Sequence, residues 1–257
     1  MRSLLLPLLT LGILMVTTTI RAQDAKPMYY VLQTYHFAPE QETAVVDKYL
    51  KDAFLPALKK KDIGPVGVFS HKKAEESKDI YVLIPFESLE TYESLYEELA
   101  ADKDFVEAAK DYWLATKQQP PYARLETQIS KGFKNAPGLM VNYDTLKKDG
   151  HYFEMRVYKS HNEEYARRKV AMFNDDELAV FKEAGVEPIF FGQNLASSHN
   201  PALTYMMVFE SEEKQKATWD KFLGSKSWAA VKDLPKYKDT VSEIIKVVLV
   251  SKPYSQI

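Results

Sequence analysis

No cysteine occurs in the 257-residue chain. That absence excludes a disulfide framework, a thiolate nucleophile, an iron–sulfur cluster and Cys-ligated zinc, and with them a lipid attached to a processed N-terminal cysteine. Neither sign of charge dominates: 34 basic residues stand against 36 acidic ones, a net charge of −2. No chain-wide field therefore draws the protein to nucleic acid, and no nucleic-acid partner is expected. The phosphate-cradling and hydrolase signatures GxGxxG, GxxxxGK(S/T) and GxSxG are missing as well. The five histidines, at 36, 71, 151, 161 and 199, show no HExxH or other metal spacing, so neither a metal nor another cofactor is expected from motifs. What is present is a chain with 46% apolar and 27% charged residues, far from the composition of disordered chains and able to bury a core.

Long apolar runs are scarce too. Met1, Arg2 and Ser3 make a short basic start, Leu4 to Val16 an apolar run, and Thr17 to Ala22 a small polar tail before Gln23. A run of this length falls short of the roughly 20 residues a spanning helix needs, and the pattern is that of a secretory signal over residues 1–22. Its removal takes away Arg2 and Arg21 and no acid, which leaves a net charge of −4 on a chain expected to be secreted or periplasmic and without a membrane anchor.

The remainder repeats itself. Shifting the chain by 123 positions places Tyr35 on Tyr158, Pro65 on Pro188, Phe86-Glu87-Ser88 on Phe209-Glu210-Ser211, Glu90 on Glu213 and Lys103 on Lys226, with no gap. A constant offset held over about a hundred residues predicts two copies of one domain, over 28–130 and 151–257, joined by a polar linker at 131–150 that carries Pro137, Gly138 and Gly150. Within each copy the periodicities follow one order. Strands with a period near two begin at Tyr30 and Phe153, and a helix follows with apolar residues three to four apart. Strands at 66–70 and 80–86 are matched at 189–193 and 203–209. Ser88 and Ser211 stand as N-caps of a second helix, with Glu90 and Glu213 opposing the helix dipole. The last strands, 124–129 and 244–250, are expected under the same offset. The order βαββαβ is an α+β, ferredoxin-like unit. Trp113, Trp219 and Trp228 read as helix-packing groups.

These segments in order, "FLPALKKKDIGPVGVF", "IYVLIPFESLE" and "LAADKDF" in the first copy and "FEMRVY", "FKEAGVEPIFFG", "YMMVFES" and "GSKSW" in the second, resemble the NIPSNAP family of the dimeric α/β-barrel group. The resemblance implies two tandem ferredoxin-like domains whose sheets meet in an eight-stranded, pseudo-dimeric barrel with helices outside. It also implies an Arg in the opening strand, which the second copy has as Arg156 and the first replaces by Gln33. The tandem copies would supply within one chain the pairing that single-copy relatives obtain by dimerising, leaving further homo-oligomers unforced.

Alternation divides Phe153, Met155 and Val157 from Glu154, Arg156 and Tyr158. The apolar set is expected under the helices and the polar set on the other face, together with Val31, Gln33 and Tyr35 of the first copy and Arg124, Glu126 and Gln128 of its last strand. If that face lines a barrel, Gln33, Tyr35, Arg124, Glu154, Arg156 and Tyr158 form a polar interior that is either a small-molecule pocket or a hydrogen-bonded network fixing how two sheets dock. Three function classes follow. The first is an exported small-molecule-binding or interaction protein without catalysis. The second is a cofactor-independent monooxygenase or isomerase acting on a small aromatic or polyketide-like compound, with Arg156 polarising an oxyanion and Tyr158 or Glu154 moving a proton. The third is haem binding, with His36 or His71 as axial ligand.

Overall fold

A computed structural model describes residues 25–257, so the leader read at 1–22 lies outside the described residues. Strands β1 (Tyr29–His36), β2 (Gly67–His71), β3 (Ile80–Phe86) and β4 (Arg124–Gly132) form one antiparallel sheet in the order β4-β1-β3-β2. Strands β5 (Tyr152–Lys159), β6 (Glu187–Ala196), β7 (Ala202–Phe209) and β8 (Glu243–Ser251) repeat it as β8-β5-β7-β6. The edges then join, β2 to β8 and β6 to β4, and close an eight-stranded barrel. The chain is thus a pseudo-dimeric α/β barrel. Closure leaves no strand edge unpaired, which removes the main aggregation hazard of an open sheet.

The β4–β6 seam is tight. Gly132 lies opposite Gly192, where an added Cβ on Gly192 would stand 2.7 Å from the Ser130 Cβ, and one on Gly132 would stand 2.6 Å from the Pro137 carbonyl oxygen. Only glycine lets the backbones approach so closely.

Helix α1 runs as Ala44–Tyr49, a π-type turn at Leu50–Phe54 and a second α segment at Leu55–Lys60. Helix α2 spans Leu89–Ala101. In the second copy α3 runs through Glu163–Met172, a π-type turn at Phe173–Glu177 and Leu178–Ala184, and α4 spans Glu212–Gly224. The two π turns are displaced by the same 123 residues as the helices, so the repeat extends to local backbone geometry. Ser88 and Ser211 cap α2 and α4, their hydroxyls accepting from the Thr91 and Lys214 amides at 3.3 and 3.2 Å. No described helix is long and apolar enough to cross a membrane.

Two sequence expectations are corrected here. The offset of 123 fails at the last strand: β4 pairs with β1 as Gln33↔Thr127, and β8 pairs with β5 as Arg156↔Lys246, an offset of 119. Four residues are lost before β8, but the register against the opening strand is kept, because a one-residue slip would invert every side chain. The linker, read as polar, is also partly structural. It buries Phe133 and Ala136 against the second copy and packs Leu139, Val141 and Leu146 against the barrel.

Side chains separate into three cores. Two lie between a sheet and its own helices: one around Tyr35, Leu50, Phe54, Leu58, Val82 and Leu99, the other around Tyr158, Phe173, Phe181, Phe191, Tyr205 and Phe222. The third is the barrel interior, where Tyr30, Leu32, Phe69 and Leu83 of the first half pack with Phe153, Met155, Phe190, Met206 and Leu249 of the second. Rings meet across the halves, Tyr30 with Phe190 at 4.9 Å and Phe69 with Phe153 at 4.8 Å. A polar network ties the seam nearby: Gln128 donates to Thr204 Oγ1 at 3.0 Å and Ser130 donates to Asn194 Oδ1 at 2.9 Å.

A core built jointly by both halves should unfold once. In urea, fluorescence from Trp113, Trp219 and Trp228 and far-UV circular dichroism are expected to report one coincident transition. Phe153→Ala should lower its midpoint by the equivalent of about 3–5 kcal/mol. Two resolved transitions, one per half, would contradict the shared core.

Candidate functional site

The polar residues of β1 and β5 do not line the barrel, whereas Arg124, Glu126 and Gln128 of β4 lie on its inner side. Because Phe153 and Met155 fill its interior, alternation turns Glu154, Arg156 and Tyr158 outward, beneath α3 and α4. The same holds for Val31, Gln33 and Tyr35 beneath α1 and α2. The expected faces are therefore inverted in β1 and β5, while that of β4 is as expected. The physical reason is packing across the barrel: Phe153 and Met155 find rings and aliphatic groups of the other half there, whereas the charged set finds partners on the helices, such as Gln215 on Glu154.

In the second half these residues form a connected polar layer. The Glu154 side chain is 0% exposed and takes the Arg156 Nε–H at 2.5 Å; its other oxygen meets Lys246 Nζ at 3.0 Å and accepts from the Gln215 amide of α4. The guanidinium of Arg156, with 18% of its side chain exposed, lies over the Trp219 ring at 4.0 Å and points Nη1 toward the Tyr158 hydroxyl at 3.4 Å. The Tyr205 hydroxyl donates to that of Tyr158 at 2.9 Å. Burial holds the Tyr205 hydroxyl well above the ordinary phenol range, so it stays protonated. On the helix side, Lys169 and Glu177 meet at 2.7 Å with side chains only 6% and 3% exposed. The ammonium lies 4.8 Å from the centre of the Phe173 ring and 5.5 Å from that of Tyr158. Burial pushes the Glu177 carboxyl above its usual value, and Lys169 offsets only part of this.

The first half carries an apolar version of the same layer. The repeat puts Val31 in place of Glu154, Gln33 in place of Arg156, Val46 in place of Lys169, Phe54 in place of Glu177 and Tyr96 in place of Trp219. There Gln33 Nε2 donates to the Tyr96 hydroxyl at 2.7 Å, while its buried Oε1 has no partner among the described residues. Tyr35 is buried edge-on against Tyr112 and Tyr122.

The six candidates from the sequence are thus not one site. Glu154, Arg156 and Tyr158 come together; Gln33 and Tyr35 form the counterpart in the other half; Arg124 is exposed at the barrel rim, opposite His36. Glu126, also at that rim, accepts from the Ser198 hydroxyl at 2.6 Å. Both oxygens of Glu154 are engaged, so it is not free to move a proton. His36 bonds Asp79 at 2.9 Å and His71 bonds the Tyr81 hydroxyl at 3.0 Å, both on the barrel side of their strands and away from the sheet–helix layers. That position does not suit an axial haem ligand between sheet and helices.

Sequence reasoning missed Lys169, Glu177, Gln215 and Trp219 as one group with Arg156, because polar helix residues read as a solvated face. The signal was the repeat itself: Lys169 and Glu177 fall on Val46 and Phe54, core positions of the first copy.

Comparison with known proteins fits this architecture. The NIPSNAP family model matches residues 30–120 and 153–256. A candidate monooxygenase from Fusobacterium nucleatum superposes over 88% of this chain and 93% of its own, with a TM-score of 0.54 at 8% identity. One from Lactobacillus acidophilus does so over 88% and 94%, with a TM-score of 0.54 at 11% identity. A NIPSNAP family protein from Agrobacterium tumefaciens covers 42% of this chain with 90% of its own, at 13% identity and a TM-score of 0.35. No curated protein matches the sequence.

The buried pair gives a test of the layer's electrostatics. Lys169→Met leaves a buried carboxylate alone and should cost about 3–5 kcal/mol, whereas Lys169→Met with Glu177→Gln removes both charges and should cost far less. An acid whose value is raised on folding holds its proton more tightly in the folded state. Its stabilising contribution is therefore present at low pH and lost as pH rises above the ordinary carboxylate value of about 4.3. Relative to the double variant, the native protein should lose stability over that rise; urea midpoints at a series of pH values check it, and a flat difference contradicts it. With its model spanning both copies of the repeat and most of the chain, the protein belongs to the NIPSNAP family.

Proposed function

We propose that this chain is an exported small-molecule-binding protein whose site is the sheet–helix layer of its second half, with Arg156 as the main contact for an anion or carbonyl oxygen. The leader pattern of residues 1–22 supports export. The observation that carries the site is the asymmetry between copies. A scaffold needs only the apolar layer of Val31, Val46 and Phe54, yet the second half spends stability on Glu154, Arg156, Lys169 and Glu177 in the same places. Arg156 is the partly exposed member, its guanidinium over Trp219 at 4.0 Å, with Nη2 the nitrogen that neither Glu154 nor Tyr158 takes.

Catalysis is the second reading. The paired Tyr158 and Tyr205 hydroxyls beside Arg156 could pass a proton to or from a bound oxyanion, with Tyr158 in that role rather than Glu154. The two barrels of similar fold described as candidate monooxygenases make oxygenation the reaction to assay, by oxygen consumption with each ligand found.

A thermal-shift screen with small aromatics and acids tests the binding reading. A ligand at about 100 times its Kd adds about 2.7 kcal/mol and raises Tm by several degrees. Arg156→Ala should abolish that rise, and Gln33→Ala, its counterpart, should leave it intact. The stability cost of Arg156→Ala should stay below the ~3–5 kcal/mol of a fully buried pair, because Lys246 and Gln215 remain on Glu154. A ligand that stabilises Arg156→Ala as well as the native protein would overturn the assignment.

A further inference from the structure

A cleft of about 630 Å³ opens at the end of the second sheet–helix layer, lined by Lys169 and Met172 of α3, by Trp228, by Lys232 and Asp233, and by the stretch from Tyr237 to Val241, which includes Asp239. Its size is that of a ligand pocket. In the first half the corresponding place is full: Tyr49 stacks on Tyr112 at 3.9 Å, with Phe105 edge-on at 6.2 Å and Phe54 behind at 5.5 Å. The repeat puts Met172 in place of Tyr49, Pro235 in place of Tyr112, Trp228 in place of Phe105 and Glu177 in place of Phe54. One stacked ring has been lost, and a buried ammonium stands against the space left.

That ammonium is incompletely satisfied. Lys169 Nζ has three N–H donors, and the structure supplies one oxygen, Glu177 Oε2 at 2.7 Å, and one weak acceptor, Met172 Sδ at 3.3 Å. The remaining donor is on a side chain that lines the cleft. The Trp228 ring is 6.0 Å from Nζ and only partly buried, so an aromatic wall adjoins the cation.

We propose that this cleft binds a planar aromatic acid, its carboxylate on Lys169 and its ring against Trp228, in the place the Tyr112 ring fills in the first half. The inference rests on the small-molecule reading of the second half and names its ligand class. A carboxylate answers the free ammonium donor with a charge-assisted hydrogen bond, and a flat ring restores the stacking that the second copy lacks.

The test uses 2-naphthoate and its neutral counterpart 2-naphthylmethanol, with tryptophan fluorescence and thermal shift as readouts on the full chain. We expect 2-naphthoate to quench tryptophan emission and raise Tm, and to bind at least tenfold more tightly than the alcohol. In Lys169→Met with Glu177→Gln, which leaves no buried charge unpaired, the two compounds should bind equally. Failure of 2-naphthoate to bind the native protein, or an undiminished acid preference in the double variant, overturns the proposal. If 2-naphthoate fails while other compounds stabilise the protein in an Arg156-dependent way, the aromatic-acid site falls and the binding reading stands. If 2-naphthoate binds through Lys169 and Arg156→Ala leaves it unchanged, the aromatic-acid site stands and Arg156 is displaced as the main contact.

Discussion

Everything in this molecule depends on two seams, β2 against β8 and β4 against β6. Each half alone is an open four-stranded sheet with helices on one face and a bare apolar face on the other, a surface that monomeric proteins avoid. Joining the edges hides both bare faces at once and makes them a single core, with Phe69 on Phe153 and Tyr30 on Phe190 across the boundary. The inner face is then mostly apolar, with one buried hydrogen-bonded group, Gln128, Ser130, Asn194 and Thr204, beside the β4–β6 seam. Outside that satisfied group, charged side chains are left two places, the barrel rim and the layers under the helices, and the layers are the ones sheltered from water.

Duplication explains how one of those layers could change. The first half keeps a well-packed aromatic and aliphatic layer, while the second carries two ion pairs whose desolvation is expensive and whose contribution to stability is small at best. A chain that shares one barrel core can carry that cost in one half because the other half and the interior do not share it. The asymmetry at Arg156 and Gln33, or at Lys169 and Val46, is therefore informative in a way that symmetric differences would not be.

The fold was legible because a period of 123 residues orders the strands and helices, and because Ser88 and Ser211 announce their helices. The faces were not. Strand β1 is apolar on both sides, with Tyr30 and Leu32 inward and Val31 and Tyr35 outward, and alternation alone says nothing about which side meets a helix. In β5 the polar side reads as the interior, yet the apolar side is the one that packs across the barrel, Phe153 on Phe69. Lys169 and Glu177 were hidden for a related reason: charged helix residues are usually solvated, and only comparison with Val46 and Phe54 places them in a core. The loss of four residues before β8 left no mark on the periodicity, since the strand pattern survives a shift of even length.

The central claim is that ligand recognition belongs to the second half, under its helices. The chain's three tryptophans report on it directly, Trp113 from the first half and Trp219 and Trp228 from the second, with Trp219 beneath Arg156 and Trp228 on the Lys169 cleft. The decisive measurement is the indole N–H spectrum of ¹⁵N-labelled protein titrated with any small molecule that raises its Tm. Saturable shifts of the Trp219 or Trp228 resonances with Trp113 unmoved are the result this account predicts. Shifts confined to Trp113, or none at any indole while Tm still rises, would contradict it.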